Sequence, residues 1–306
     1  MQTSAVLECE ATRVIQLEAE SFRENFNKRW FPLEHALARH PLFELDRLIA
    51  LAKQTAEERP EHLHFDKGAT RVGQRWSETP ACDLPVDETI RRIEHEGAWI
   101  VLKHAELDRE YKSLLERTMA EVHELAGPQL RRQVNFEEVI LFITSPNRLT
   151  TYHIDRECNF IAQIRGDKTI YIFDREDREV LPEPEIERFW AVDNNAAVYK
   201  KELQHRADSF VLRPGNGVHV PVNAPHWLQN HDNISITASL NFKFKDSRLA
   251  NVYRANYALR KLGLNPVPPG KSPARDSVKR SVVTAAMAVA NATPNAMRDG
   301  FKRAFR

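Results

Sequence analysis

Cysteine is scarce in this chain. Cys9, Cys82 and Cys158 are the only three in 306 residues, and no two form a C-x-x-C pair. That spacing excludes a disulfide-stapled scaffold and a thiolate zinc knuckle. Long apolar runs are missing as well. No stretch reaches the roughly 20 residues that a bilayer-spanning helix requires, and the segment Val278 to Val289 is short and Ala-rich, so it reads as a packing helix. The opening MQTSAVLECEATRV has no basic stretch leading into an apolar one, so no secretory leader is indicated. No internal repeat is visible. The composition, 42% hydrophobic and 28% charged, suits a soluble globular protein, and a reduced, cytoplasmic one with no membrane span is expected.

Net charge is also nearly absent, at +1, but it is unevenly placed. Residues 247–306 hold twelve Lys/Arg against Asp276 and Asp299, a surplus of +10 that leaves −9 for residues 1–246. Such an asymmetry suits either solvated helices offsetting an acidic body or an arm for an acidic partner or nucleic acid. Neither a nucleic-acid recognition motif nor interleaved aromatics accompanies it.

Three regions differ in pattern. Residues 1–135 read as mostly helical, with one or more strands joining the core. Asp108 caps a helix carrying Tyr111, Leu114, Leu115, Met119, Val122 and Leu125 at helical spacing, stopped by Gly127-Pro128. Leu45 to Leu51 and the segment after Asp87 give shorter helices, and AWIVLKH gives a buried strand. Residues 136–246 read as strands: EEVILFITS, TTYHID, NFIAQIRG, KTIYIFD, DSFVLRPG, GVHVPV and ISITASLNFKF, punctuated by Gly, Pro, Asn or Asp. Gly166-Asp167 marks a hairpin, and KTIYIFD has apolar or aromatic residues on both faces, so both are expected to be covered. An acidic insertion, REDREVLPEPEIERFW, interrupts the series. Residues 247–306 form a basic helical extension, with helices over 251–261, 276–291 and 294–305 and a linker at NPVPPGKSP. The expected class is α+β with a mainly β core, a jelly roll flanked by helical segments.

A mononuclear non-haem iron site needs two neutral imidazoles and one carboxylate on one side of the metal, with the other positions open. In a strand, residues two apart point the same way, so His153 and Asp155 of TTYHID project together. PVNAPHW supplies His226 just after another strand. An H-x-D pair alone is weak evidence. His64 and Asp66 in HLHFDKG form a second copy, read here as a loop coincidence. The 153/155 copy stands out by its place in the β-rich region and by Lys168, which opens the strand after Gly166. A lysine inside a β-sandwich is costly unless an anion pairs with it.

The run TTYHIDRECNFIAQIRGDKTIYIFD, with SFVLRPGNGVHVPVNAPHWLQN and ISITASLNFKF after it, resembles the JmjC/cupin-like Fe(II)- and 2-oxoglutarate-dependent oxygenases. It is most similar to the branch of the asparaginyl hydroxylase that inhibits the hypoxia-inducible factor. The resemblance implies a double-stranded β-helix with His153, Asp155 and His226 as iron ligands. It implies that Lys168, thirteen residues after Asp155, pairs with the distal carboxylate of 2-oxoglutarate, and that Thr150, three before His153, hydrogen-bonds the same carboxylate. Asn159 and Asn241, the latter fifteen residues after His226, match asparagines lining the cosubstrate pocket. The family's cosubstrate-binding tyrosine has no assigned counterpart; Tyr152 and Tyr171 match by type alone. The implied activity is hydroxylation of a protein or peptide side chain or of a small molecule, with 2-oxoglutarate decarboxylated to succinate. C-terminal helices that make a homodimer are implied too.

The rival reading is a non-catalytic JmjC-like binding module, and a third is a metal cupin that works without 2-oxoglutarate. The intact ligand set together with Lys168 favours the enzyme. His219, His123, His205 and His231 read as packing or surface histidines, Cys158 as core, and Trp227 as either pocket wall or core. Acids Glu183, Glu185 and Glu187, if beside the pocket, would favour a basic peptide.

Overall fold

Period-two alternation in the central region is realised as antiparallel strands in a computed structural model that describes residues 13–68, 70–244 and 248–292. Cys9, the expected helix at 294–305 and its basic residues lie outside the described residues. Twelve strands are described: β1 (Ile15–Gln16), β2 (Phe31–His35), β3 (Leu63–Lys67), β4 (Ala98–Leu102), β5 (Val134–Thr144), β6 (Leu149–His153), β7 (Cys158–Arg165), β8 (Lys168–Ile172), β9 (Asp208–Leu212), β10 (Asn216–Val220), β11 (His226–Asn230) and β12 (Ser235–Phe244). They form two sheets, an eight-stranded one in the order β1-β2-β10-β7-β12-β5-β4-β3 and a four-stranded one in the order β6-β11-β8-β9. All pairings are antiparallel.

Side-chain alternation decides what each face of the large sheet meets. On β7 and β12, Phe160, Ala162, Ile164, Ala238, Leu240 and Phe242 belong to the larger hydrophobic core, shared with helical residues such as Leu48, Ile90, Tyr111 and Met119. Their neighbour Ile161 faces the other way, into a second cluster with Ile170, Ile172, Leu212, Val218, Val220 and Leu228. The small sheet therefore covers one face of the large sheet and helices cover the other.

The helices of this part are α1 (Ala19–Asn25), α2 (Leu45–Glu58), α3 (Val86–Arg91), α4 (Arg109–Ala126) and α5 (Pro128–Gln133). In α4 the expected details hold. The Asp108 carboxylate accepts from the Glu110 amide at 2.9 Å, Tyr111, Leu114, Leu115, Met119 and Val122 are buried in one stripe, and Gly127 leaves the helix at φ 79°. α2 runs a full two turns past Leu51, because the good helix formers of LAKQTAEE continue it.

Three expectations need correction. On β8 only one face is fully covered: Lys168, Ile170 and Ile172 are buried, whereas Thr169 and Tyr171 are half-buried. His64 and Asp66 are not in a loop but on edge strand β3, paired with Val101 and Trp99 of β4. The acids of the insertion are not a free patch. The described chain divides into two units, one made of the chain up to Asp174 with Lys201–Phe244, the other of Arg175–Lys200 with the helices after Phe244. The second unit holds α6 (Glu183–Ala191), α7 (Arg248–Lys261) and α8 (Pro273–Ala292). Within it Glu187, fully buried, accepts from Arg260 Nε at 2.5 Å, Glu183 accepts from Arg178 Nε at 2.5 Å, and Glu185 accepts from the Val198 amide at 2.9 Å. Among the described residues no helix is long and apolar enough to cross a membrane.

Candidate metal centre

His153 ends β6 and His226 begins β11, and the two are direct partners across adjacent strands of the small sheet. Paired residues point to the same side, so the imidazoles come together, with ring centroids 4.2 Å apart. Asp155, two residues past His153, brings its Oδ2 to 3.8 Å from Nε2 of each histidine. One ligand-type atom from each of the three lies within 4.8 Å of the others.

The tautomers follow from the hydrogen bonds. His153 Nδ1 lies 2.7 Å from the Thr151 carbonyl and His226 Nδ1 lies 3.0 Å from the Ala224 carbonyl. A carbonyl can only accept, so in both rings Nδ1 carries a proton and Nε2 is the nitrogen turned toward Asp155. Burial, and then the neighbouring His153, push the His226 pKa down to about 3, which keeps that ring neutral. Asn159 Nδ2 donates to Asp155 Oδ2 at 2.8 Å, and the Asp155 carbonyl accepts from the Asn223 amide at 3.0 Å. Two imidazoles that present Nε2 and an oriented carboxylate, each steadied by an outer hydrogen bond, are a donor set fit for a divalent first-row metal.

The space between the sheets extends away from these three residues. Along β11 and β8, His226 pairs with Ile172, Leu228 with Ile170 and Asn230 with Lys168. Leu228, Ile170 and Ile172 line the inter-sheet cluster, so His226 and Lys168 project into the same space. They stand about 13 Å apart along the strand at 3.3 Å per residue. Lys168 is 3% exposed, and no hydrogen bond or ion pair joins its ammonium to a described residue. Burial pushes its pKa down to about 7.

Thr150 reaches this space through an irregularity. Two steps on β11, from His226 to Leu228, correspond to three on β6, from His153 to Thr150. In an unbroken strand, residues three apart face opposite ways; the bulge turns both inward.

The facing wall, on the large sheet, is polar. Asn159 and Asn241 are direct partners on β7 and β12. Asn241 accepts from Ser239 Oγ at 2.7 Å, and Gln163 accepts from Thr237 Oγ1 at 2.8 Å. Two buried polar atoms there lack a partner among the described residues, Asn159 Oδ1 and the indole N–H of Trp99. Trp99 is opposite Thr144, whose hydroxyl accepts from Asn230 Nδ2 at 2.6 Å, and Asn230 is the partner of Lys168.

The other expected residues are placed elsewhere. His219 is fully buried on the helical side, stacked on Phe31 with centroids 4.6 Å apart and accepting from the Asn27 amide at 3.0 Å. His231 meets Thr169, and His123 meets Glu137. Tyr171 stacks on Trp227 at 4.0 Å, on positions that alternate with the inward ones, so both leave the inter-sheet space. Tyr152 packs edge-on against Phe173. Asp66 forms an ion pair with Arg148, both sides almost fully buried, which occupies the carboxylate of the second H-x-D pair.

Several residues of the site had not been anticipated. Trp76 comes from a short turn far from the ligands in sequence, donates its indole N–H to Thr151 Oγ1 at 2.9 Å and sits edge-on to His153. Nothing in the WSET sequence signals this. Ser235, Thr237 and Ser239, on one face with the expected Asn241, carried a visible signal, strict alternation with Ile236, Ala238, Leu240 and Phe242, but such a pattern ordinarily means a solvent face. Here all four polar side chains are buried.

No known family model matches the chain, and no curated protein does. Its structure is similar to the X-ray structure of Escherichia coli ycfD, with a TM-score of 0.52 and 16% identity over 89% of this chain and 68% of that one. A second structure of that protein, described as a ribosomal oxygenase in complex with cobalt and 2-oxoglutarate, gives a TM-score of 0.48 and 16% identity over 89% and 67%. The likeness to ycfD is one of fold: antiparallel sheets with helices, as the resemblance to the JmjC/cupin-like oxygenases implied.

Proposed function

We propose that this chain is an Fe(II)- and 2-oxoglutarate-dependent oxygenase acting as a hydroxylase, with His153, Asp155 and His226 as the metal ligands. One observation carries the reading: three converging donors share an inter-sheet space with the buried Lys168, whose ammonium has no counter-charge among the described residues. A metal cupin working without a dicarboxylate leaves Lys168 unexplained, and a retired binding module has no physical need for two histidine Nε2 atoms converging on one carboxylate. The double-stranded β-helix is part of the proposal. From β5 to β12 successive strands go to the large, small, large, small, small, large, small and large sheet, the alternation such a fold requires.

Each residue then has a task. His153 and His226 present Nε2 to the metal while their Nδ1–H groups hold the rings in place. Asn159 keeps the Asp155 carboxylate turned inward through its amide. Lys168 and Thr150 take the distal carboxylate of the cosubstrate, and the indole N–H of Trp99 and the free Oδ1 of Asn159 border the same space, with Asn241 beside them. Bound iron and 2-oxoglutarate supply the activation of dioxygen, coupled to decarboxylation of the cosubstrate to succinate, for oxidation of a substrate C–H bond. The protein's share is orientation and exclusion of water by the apolar Ile170, Ile172 and Leu228.

A protein side chain is the substrate class we propose, in keeping with the description of ycfD as a ribosomal oxygenase. Pairing of two copies through C-terminal helices has support in the outward Val278, Val282 and Val289 of α8; a monomer in sedimentation at micromolar concentration would count against it. The test of the activity is succinate formation from 2-oxoglutarate by the purified chain with Fe(II). Turnover is expected even without a substrate, and its loss is expected in Asp155→Ala together with loss of metal binding. A folded parent that neither binds iron nor consumes 2-oxoglutarate would overturn the reading.

A further inference from the structure

The two histidines of the proposed metal site are not equally supported. His226 lies on β11, an inner strand held by β6 on one side and β8 on the other, and it is 2% exposed. His153 is the last residue of β6, which is the edge of the small sheet. An edge strand leaves one row of backbone groups unpaired, and its end is the part of a sheet most free to move. A metal ligand placed there needs support from outside the sheet.

That support comes from residues 70–79, which precede the β-rich region. Thr70 Oγ1 donates to the Leu149 carbonyl at 3.2 Å and the Tyr152 amide donates to the Val72 carbonyl at 2.8 Å, so the segment lies along the open edge of β6. Arg148, at the start of β6, is tied to Asp66 and to the Gly68 carbonyl just before it. The segment ends in a turn whose Trp76 touches the ligand from two directions. Its indole N–H donates to Thr151 Oγ1, the residue whose carbonyl receives the His153 Nδ1 proton, and its ring stands edge-on to the His153 imidazole with centroids 5.7 Å apart.

We infer that Trp76 is the positioning residue for His153, fixing both the carbonyl that orients the imidazole and the ring's own rotation, so that residues 70–79 determine how tightly the chain keeps its metal. This rests on the reading of His153, Asp155 and His226 as a metal site. Trp76 contributes no ligand and acts through His153. A contact that fixes an outer partner of a metal ligand typically changes affinity by about 10–100-fold.

Co(II) is the probe, titrated into the full chain and followed by its visible absorption, whose position and intensity report ligand geometry. Trp76→Phe keeps a ring and loses the N–H; Trp76→Leu loses both. Dissociation constants are expected to rise about 3–10-fold for the first and at least about 10-fold for the second, with an altered absorption band in each. Thr151→Val should reproduce the effect of Trp76→Phe, the double variant should add little to either, and Thr151→Ser should restore the parent's behaviour. Trp30→Phe, which removes a comparable indole bond, to Asp208 at 2.7 Å, is expected to leave Co(II) affinity unchanged. Should Trp76→Leu fail to fold, Trp76→Phe and the Thr151 variants decide alone. Parent-like affinity and absorption in Trp76→Phe and Thr151→Val, with or without a lower melting temperature, would overturn the inference while leaving the metal site standing. Failure of the parent to bind Co(II) would overturn the metal reading, and this inference with it.

Discussion

Replacing Lys168 by Met should make the ligand-free protein more stable and its cosubstrate binding weaker, and the size of the first effect follows from burial. Lys168 is 3% exposed, on the inner face of β8 between the sheets, with Ile170 and Ile172 as its same-face neighbours and Asn230 as its strand partner. Burial lowers its pKa from 10.5 to about 7. At 1.36 kcal/mol per unit this sets a ceiling of about 5 kcal/mol on the cost of keeping the charge inside. A long side chain recovers part of that by turning its head toward polar walls, so a gain of about 2–4 kcal/mol is expected for Met, of similar length and without charge. The pH dependence has a definite sign. Between about 7 and 10.5 the unfolded chain holds a proton that the folded chain has lost, so parent stability rises with pH across that window. Below it both states are protonated and the whole cost is present. The advantage of Lys168→Met should therefore be full at pH 6 and gone near pH 10.5. At about 2 °C per kcal/mol for a chain of this size, melting at pH 6 should rise by about 4–8 °C. Calorimetry of both proteins from pH 6 to 10, without metal or cosubstrate, measures this. Titration of 2-oxoglutarate in the presence of Co(II) should show at least about ten-fold weaker binding by the variant, because a charge-assisted contact is lost. In the parent above pH 7 the same titration should take up a proton, seen as a heat that depends on the buffer's ionisation enthalpy. A variant that melts no higher than the parent at pH 6, or that binds 2-oxoglutarate as tightly, refutes the argument.

Other perturbations probe the frame around the site. Asp66→Ala leaves the Arg148 guanidinium buried without its counter-charge, and should cost about 3–5 kcal/mol in urea unfolding; a loss under 1 kcal/mol would mean that the pair is not buried in solution. Gly166→Ala should be comparably harmful, since φ is 74° there and a Cβ would lie 1.9 Å from Asn233 Oδ1 and 2.2 Å from the Ile234 carbonyl. A well-folded Gly166→Ala protein with parent stability would show that the β7–β8 turn is not built this way. Thr150→Val should raise the 2-oxoglutarate dissociation constant several-fold with Co(II) affinity unchanged, and equal weakening of both would place Thr150 in the metal's support instead of the cosubstrate's.

Much of this was legible in the sequence because it depends on local periodicity. Seven of the eight central strands, the capped helix from Asp108 to Gly127 and the Gly166 hairpin follow from patterns a few residues long, whereas β11, which carries His226, was not expected as a strand. His153 and Asp155 were expected together as strand neighbours, but β6 ends at His153 and Asp155 meets it from the connection to β7. Illegible features were those in which distant segments meet. The bulge that lets Thr150 and His153 share a face has no marker in LTTYH, since it depends on how β6 aligns with β11. On the β7–β12 wall only Asn159 and Asn241 were marked, by the family resemblance; that Gln163, Thr237 and Ser239 share their face of the site depends on the second sheet laid over it. Glu183, Glu185 and Glu187 looked like a surface for a basic ligand, yet Arg178, Arg260, Lys200 and the Val198 amide reach them within their own unit.

The two H-x-D pairs show what a site requires beyond its motif. His64 and Asp66 both lie on β3, whereas His153 ends β6 and Asp155 follows it in the connection to β7, yet in both pairs the histidine and the aspartate come close, at 3.4 Å for His64 and Asp66 and 3.8 Å for His153 and Asp155. On β3, an outer strand, the residues opposite are Val101 and Trp99, so no third donor arrives, and the Asp66 carboxylate is already taken by Arg148. On β6 the residue opposite His153 is His226, and a backbone carbonyl holds the Nδ1 proton of each ring, which turns both Nε2 atoms toward Asp155. Asp155 is held by the Asn159 amide on Oδ2, the oxygen that also faces both Nε2 atoms, and one neutral donor leaves that oxygen a further lone pair. A carboxylate neutralised by an arginine is a poor metal ligand, while one hydrogen-bonded by a neutral amide keeps its full charge for a cation. The same three-letter pattern thus becomes a structural ion pair in one place and a metal-binding set in the other, according to what the partner strand brings opposite it.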